Sequence, residues 1–387
     1  MRRERTTTLL FCAFLFGFAV LFLLLPQNSF SASEKRALQT SPRLSISAVF
    51  SGRFGNEVND WYADQFPWRD WFVGVKGVAE IALGKGENNG ILLGRNGQLA
   101  RVRFDLITEQ GIVKNADRID EGHLRAAAEG VNRAAANAHV PTVFLFTGRS
   151  ADVASSAFDY PTVSSSELSH LWERSLDSSV VAPNVTKTLQ TRYEAGEAVI
   201  YRTDHHWTTL GAYYGYCEVM RAFGREDELL PPSAFEPVTL TENFYGTFWA
   251  SGGMKWVAPD QIEVWTSEDD GDYTLTADGK PLAGFYTLPQ DGGSVGYEVF
   301  LDGTHDVVTI EKSGVQRPRL LVVKDSFANS LAPFLARHFD LVLLNLSSTR
   351  SDFTDLTALS ETYGADGTLV VYTMSNVLTT DVVSRFR

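Results

Sequence analysis

Cysteine is nearly absent from this chain, with two in 387 residues. Cys12 falls inside an apolar N-terminal run, so Cys217 stands alone in the remainder. An intrachain disulfide and a cysteine metal site are thereby excluded outside that run. Cys217 reads as a small hydrophobe on the apolar face of a helix. Clustered basic residues are also lacking beyond Arg2, Arg3 and Arg5. Lys plus Arg number 34 against 47 for Asp plus Glu, a formal charge of -13 spread along the chain. Binding a nucleic-acid backbone needs concentrated Lys and Arg, so the composition argues against that partner. Gly84, Gly86, Gly90 and Gly94 lie close together, yet no Gly-Lys-Ser/Thr follows and no strand-to-helix context surrounds them, which argues against a phosphate loop. There is no internal repeat and no low-complexity tract.

What is present begins with Arg2, Arg3 and Arg5, followed by an almost uninterrupted apolar run from Leu9 to Leu25 that stops at Pro26. A bilayer span needs roughly 17 to 25 such residues and a signal-peptide core only about 7 to 15. The run reads as an uncleaved signal anchor through residues 9–25, arginines cytoplasmic and the rest of the chain extracytoplasmic. The alternative is a secreted protein after cleavage near Ser31-Ala32-Ser33. Residues 1–28 are therefore assigned to the tip and anchor, 29–48 to a polar stalk, and 49–387 to one large domain. That length suffices for a sizeable core.

Trp61, Tyr62, Phe66, Trp68, Trp71 and Phe72 recur at roughly helical spacing across a Pro break. They read as an amphipathic helix pair in preference to a sugar-stacking surface. Gly90 to Leu99 reads as two short strands around an Asn-Gly turn. Helices are expected at Glu121 to Ala138, Leu168 to Leu176 and Val185 to Tyr193, with strands at Pro141 to Phe146 and Val180 to Ala182. From Thr239 to Lys312 short β-prone segments follow one another: Ile262 to Trp265, Tyr273 to Thr276, Gly284 to Leu288, Val295 to Leu301 and Asp306 to Glu311. This is a β-rich insertion, about residues 235–315. Alternation then resumes with Arg319 to Val323, Leu331 to Arg337, Leu341 to Leu346, Phe353 to Thr362 and Thr368 to Tyr372, the pattern of an α/β fold.

Two stretches carry candidate chemistry. Asp204-His205-His206-Trp207 follows a β-rich run, Ala198 to Tyr201, and precedes an apolar helix-like run from Leu210 to Met220. Such junctions are where α/β enzymes keep their chemistry. A histidine serves as a base near neutral pH, and a nearby carboxylate fixes its tautomer. The missing nucleophile has a candidate in Ser326, at the tip of the strand Arg319 to Val323 and the start of a helix. There free N–H groups and the helix dipole suit an oxyanion. From the residues alone, Asp-His-His-Trp supports three readings: acid/base catalysis, a metal site, or a structural cluster. His123, His139, His170, His305 and His338 lack ligand-like spacing, which weakens the metal reading. Ser326 alone reads as a helix cap and gains its case only together with His206.

The chain resembles the DHHW proteins of bacterial cell surfaces. The likeness rests on the anchor, Glu34-Lys35-Arg36, the block Trp61 to Pro67, Arg202-Thr203-Asp204-His205-His206-Trp207-Thr208, Phe244-Tyr245-Gly246-Thr247, Pro259-Asp260 and Lys324-Asp325-Ser326. That family is similar in turn to the SGNH-like domains of periplasmic alginate acetyltransferases. The resemblance implies an SGNH-hydrolase-like three-layer α/β/α sandwich that moves acetyl groups on or off a surface polysaccharide. Asp204 then matches the orienting carboxylate, His206 the base and Ser326 the nucleophile, with His205, Trp207, Lys324 and Phe327 supporting. Backbone N–H groups of Ser326 and Phe327 are the first candidates for the oxyanion, Asn376 and Tyr245 the second. The segment Phe144 to Ser150 lacks the lysine and Leu-Pro that related chains carry. An acetyl donor, through a membrane-bound O-acyltransferase, is the implied partner; no cofactor and no metal are implied. A non-catalytic module binding glycan or an assembly partner is the alternative. A metallo-phosphoesterase would need further aspartates on earlier strand ends, which are not found.

Overall fold

The computed structural model describes residues 2–31, 33–34, 36–101, 104–108, 111–116, 119–159, 165–289, 293–347 and 354–387. Ala32, Lys35 and Phe353, which figure in the expectations above, lie outside the described residues. The chain divides into two compact units, one of residues 1–89 with 250–256, the other of 90–249 with 257–387.

The first unit opens with helix α1, Arg2–Leu24. Its stretch Arg5–Leu24, 20 residues, is long and apolar enough to cross a membrane. The described residues of the polar stretch 29–48 carry local structure. Phe30–Ser31 pairs with Arg36–Ala37, Ser45 caps a short helix Ile46–Phe50, and Arg36 bridges Glu34 and Asp64. Acidic partners at both ends of its guanidinium explain why a polar segment orders here. The expected helix pair is α2, Arg53–Asp64, and α3, Arg69–Ala82. Phe66-Pro67-Trp68 separates them, because proline disfavours helical geometry in the residue before it.

The second unit is built on a seven-stranded sheet. Its strands are β1 (Thr142–Thr147), β2 (Tyr273–Ala277), β3 (Lys280–Leu282), β4 (Val307–Lys312), β5 (Arg319–Lys324), β6 (Asp340–Leu344) and β7 (Gly367–Thr373), in spatial order β3-β2-β4-β6-β5-β7-β1. The run β6-β5-β7-β1 is parallel and the remainder antiparallel. Successive residues of a strand face opposite ways, and the core follows this. Leu320 and Val322 join one apolar layer with helices α6 (Val185–Glu194), α7 (Thr209–Ala222) and α8 (Phe327–Leu335). Leu321 and Val323 join the other, with α4 (Glu121–Asn137), α5 (Ser165–Ser175) and α9 (Leu356–Tyr363). Helices therefore cover both faces, as expected for three layers.

The β-rich stretch is present: β2, β3 and β4 extend the central sheet, and Glu236–Phe244 with Asp260–Thr266 forms an antiparallel pair apart from it. Two local expectations are corrected. Gly284 to Leu288 and Val295 to Leu301 are not strands. They meet in one bridge, Tyr286 with Phe300, and Tyr297–Val299 is a 3-10 turn. Val180 to Ala182 likewise contributes only the bridge Val181 with Val143. The short strands around the Asn-Gly turn are present as Ile91–Leu93 and Leu99–Arg101, with Asn96 and Gly97 left-handed.

Candidate active site

Strand β5 lies between β6 and β7, the next two strands in the chain; the connection from β5 to β6 runs through α8 on one face and that from β6 to β7 through α9 on the other. At such a switch point a crevice opens beyond the C-terminal strand ends. The chain leaves β5 there and passes through Asp325 and Ser326 into α8. Asp325, to which no local sequence pattern gives a role, holds this turn. Its carboxylate accepts from Phe327 N at 3.0 Å, Thr373 N at 2.7 Å and Asn376 Nδ2 at 2.8 Å. Burial raises its pKa against the opposing effect of those donors. Lys324, also buried, donates to Asn329 Oδ1 at 2.6 Å, and Asn329 donates onward to Gly303 O at 2.8 Å. Burial pushes the Lys324 pKa down to about 8. The Ser326 hydroxyl makes no cap bond to α8, so the capping reading does not describe it.

The Asp-His-His-Trp loop is not the end of a strand. Ile200 and Trp207 form one antiparallel bridge, flanked by Tyr201 N donating to His206 O at 3.2 Å and Thr208 N to Val199 O at 3.0 Å. The loop they close is shaped by distant residues. Asp260 accepts from Arg202 N, Thr203 N and Thr203 Oγ1 at 3.0, 2.8 and 2.6 Å. Thr203 Oγ1 in turn accepts from Gly246 N at 3.0 Å. Gly246 abuts Asp204 so closely that a Cβ there would lie 2.3 Å from the Asp204 Cβ. This places Thr247 N 2.7 Å from Asp204 Oδ2. The Phe-Tyr-Gly-Thr and Pro-Asp segments thus act as one clamp on the loop.

Within it, Asp204 Oδ1 accepts from His206 Nδ1 at 2.6 Å and from His206 N at 3.1 Å. His206 Nε2 lies 2.7 Å from Ser326 Oγ. Burial opposes ionisation of Asp204, but the two imidazoles and the Thr247 N–H outweigh it and hold the carboxyl well below the usual range. The ring of Tyr297 lies flat on His206, 3.5 Å between centroids and 7° from parallel. Its hydroxyl pairs with Ser330 Oγ at 2.8 Å. Phe327 packs on the same imidazole at 4.9 Å. Tyr297 was missed because its stretch reads as a strand, and no local pattern joins it to a histidine 91 positions earlier.

The other flagged residues fall into three groups. Trp207, fully buried, donates to Ser330 Oγ at 2.8 Å and ties the loop to α8. His205 pairs with Thr247 Oγ1 at 2.8 Å and packs on His206. Desolvation and then His206 push its pKa down to about 4, although its ring edge still reaches solvent. The Phe327 N–H is committed to Asp325, which corrects its assignment as an oxyanion donor; Asn376 gives one of its two amide N–H groups to Asp325, and Tyr245 packs on Trp249 at 4.3 Å. The Ser326 N–H has no partner among the described residues. The segment Phe144 to Ser150 reaches the site through Ser150 Oγ, 3.4 Å from His205 O. Asp204, His205 and His206 also place ligand atoms within 4.8 Å of one another, a grouping that could hold a metal ion. Both His206 nitrogens are already hydrogen-bonded, so the arrangement fits proton transfer better than ligation.

Residues 146–279 match the family model of the SGNH hydrolase-like domain of acetyltransferase AlgX. No curated protein matches the chain. Among solved structures, a DHHW family protein from Eubacterium siraeum is similar at a TM-score of 0.56 and 20% identity, over 76% of this chain and 97% of that one. Bacillus cereus PatB1, solved with a sulfonyl adduct, is similar at 0.59 and 18%, over 74% and 99%. The O-acetyltransferase domain of Pseudomonas putida AlgJ gives 0.47 and 16%, over 77% and 95%. The chain carries an SGNH-like α/β domain.

Proposed function

We propose that this chain is a serine-dependent O-acetyltransferase or acetylesterase of the cell envelope, acting on a surface polysaccharide. The observation that carries the reading is the unbroken hydrogen-bonded chain from Asp204 through His206 to Ser326. The match of residues 146–279 to an acetyltransferase domain model supports the acyl-transfer class.

In this reading His206 takes the Ser326 proton as Oγ attacks the acetyl carbonyl of the donor. Asp204 stabilises the imidazolium, and the Ser326 N–H faces the developing oxyanion. Collapse expels the donor's alkoxide or thiolate, which takes the proton from His206 and leaves acetyl-Ser326. A sugar hydroxyl then gives its proton to His206 and attacks the ester; the bond to Ser326 Oγ breaks, Oγ takes the proton from His206, and the sugar departs acetylated. Water in that place makes the same site an esterase, so exclusion of water by bound glycan decides the product. The acetyl donor is supplied across the membrane, through an O-acyltransferase partner, to a single-pass protein whose C-terminal part is extracytoplasmic. Cleavage of the N-terminal segment would make it a secreted one.

The test is mass spectrometry of the protein after incubation with p-nitrophenyl acetate, beside Ser326→Ala and His206→Ala. An acetyl adduct on Ser326, with turnover reduced by about 10³-fold or more in each variant, is expected. A folded protein with neither adduct nor turnover would transfer the assignment to a glycan- or partner-binding module.

A further inference from the structure

Helix α3 presents its apolar side outward. A helix of a water-soluble domain turns its apolar stripe to the core and its charged side to water. Here the inward side carries the small residues Gly74 and Gly77 beside Val73 and Ile81. A Cβ on Gly77 would meet Gly253 O at 2.8 Å, and one on Gly74 would meet the Lys255 side chain at 3.6 Å. The outward side carries Trp71, Phe72, Val75 and Val78, all between 36% and 64% exposed, and Leu83 just beyond its end is 83% exposed. Trp68 precedes them with a left-handed backbone, φ 55°, uncommon for a bulky residue, and its ring is 60% exposed. Contiguous apolar surface of this kind marks an interaction site.

Its continuity with α1 identifies the occupant. Phe18 of α1 stacks on Phe66 at 5.2 Å and meets Trp68 edge-on at 5.9 Å. Phe22 packs on Trp61 at 4.8 Å, and Trp61 Nε1 donates to Gln27 at 3.1 Å, just beyond the apolar run. Phe18 lies nearly two turns inside the end of the candidate span, which at 1.5 Å per residue is roughly 9 Å. Half of a hydrocarbon core is about 15 Å. A side chain packed on Phe18 is therefore at acyl-chain depth whenever α1 crosses a bilayer, and tryptophan suits the interface just above.

We propose that the Phe66-Pro67-Trp68 turn and the outward face of α3 are embedded in the outer leaflet of the membrane that α1 spans, as an interfacial helix. The ligand is the acyl and glycerol region of lipid. Asp70 and Lys76 are exposed on the same helix and give it no single sign of charge, so anionic headgroups are not required. The proposal rests on α1 being a retained span.

The experiment places the full chain in nanodiscs of phosphatidylcholine, or of the same lipid brominated on its acyl chains, and reads tryptophan quenching. Helix α1 contains no tryptophan, so quenching reports on other elements. Wild-type protein is expected to lose fluorescence in brominated lipid, and Trp68→Phe/Trp71→Phe, which keeps the apolar face, to show that loss reduced by about half or more. Equal quenching in the two proteins, or none, in a chain that resists carbonate extraction overturns the proposal while leaving the span intact. Cross-linking of Trp71→Cys chains to one another without quenching also overturns it and assigns the face to a second copy. Release by carbonate overturns the span, and the proposal with it.

Discussion

Asp204 uses both carboxylate oxygens, one on His206 and one on the Thr247 N–H, so its orientation is set by backbone as well as by imidazole. Replacing it with Asn keeps the shape but offers an amide N–H to one of these donors and selects the wrong imidazole tautomer. Asp204→Asn is expected to lower kcat toward p-nitrophenyl acetate by about 10⁴-fold, with the melting temperature nearly unchanged. Tyr297 lies flat on the ring that the proposed mechanism makes cationic. The face of an aromatic ring stabilises a desolvated cation by about 2 kcal/mol, whereas its hydroxyl contacts Ser330 and the Ser326 carbonyl. Tyr297→Leu is therefore expected to lose about tenfold or more in kcat/KM. Tyr297→Phe, which keeps the ring, should recover most of that loss. Equal defects in the two variants would locate the role of Tyr297 in its hydroxyl and not in its face.

At the scale of elements, the loop from Val199 to Thr208 depends on partners that are remote in sequence. Gly246→Ala tests this, because its methyl would collide with Asp204 Cβ and the Thr203 carbonyl at 2.3 and 2.5 Å. A displacement near 1 Å costs about 10²-fold in rate, while overpacking costs only about 1 to 3 kcal/mol in stability. Activity should collapse in a protein whose melting temperature falls by several degrees; retained activity would show that the clamp is dispensable. The same dependence explains what was legible in the chain. Arg319–Lys324 announces itself as a buried strand, and Ser326 at its tip follows directly from it. The pairing of Asp204, His206 and Ser326 could be posed from residue types alone. Ala198 to Tyr201 looks equally strand-like, yet it makes one bridge, Ile200 with Trp207; the loop that follows is shaped at Arg202 to Asp204 by Asp260 and Gly246, and nothing local records their approach. The role of Asp325 was hidden for the same reason: its donors at Thr373 and Asn376 come from the neighbouring strand end. Tyr297, in a stretch that imitates a strand, becomes visible only where the fold stacks it on His206.

At the scale of the whole molecule, unfolding exposes a lysine that the fold holds at the C-terminal end of β5. Lys324 is 2% exposed, and burial takes its pKa from 10.5 to about 8. Below about pH 8 both folded and unfolded chains carry the proton, and the folded state bears the desolvation of a charge. Above 10.5 neither carries it. Between the two, the unfolded chain binds more protons than the folded one, so this group makes stability rise with pH across that window. At 1.36 kcal/mol per tenfold change the full difference is about 3 kcal/mol, offset in part by the Lys324–Asn329 hydrogen bond, about 1 to 3 kcal/mol. Tyr201 and Tyr297, whose pKa values burial raises, act in the opposite direction above pH 10. They act equally in wild type and in Lys324→Met, so the comparison cancels them. Urea unfolding of the two proteins should show the stability of the Met variant, relative to wild type, greatest at pH 7.5 and diminishing by pH 10. A difference independent of pH would mean that Lys324 keeps its proton inside the fold as readily as in water, with Asn329 and the carbonyls beyond it replacing the lost solvent.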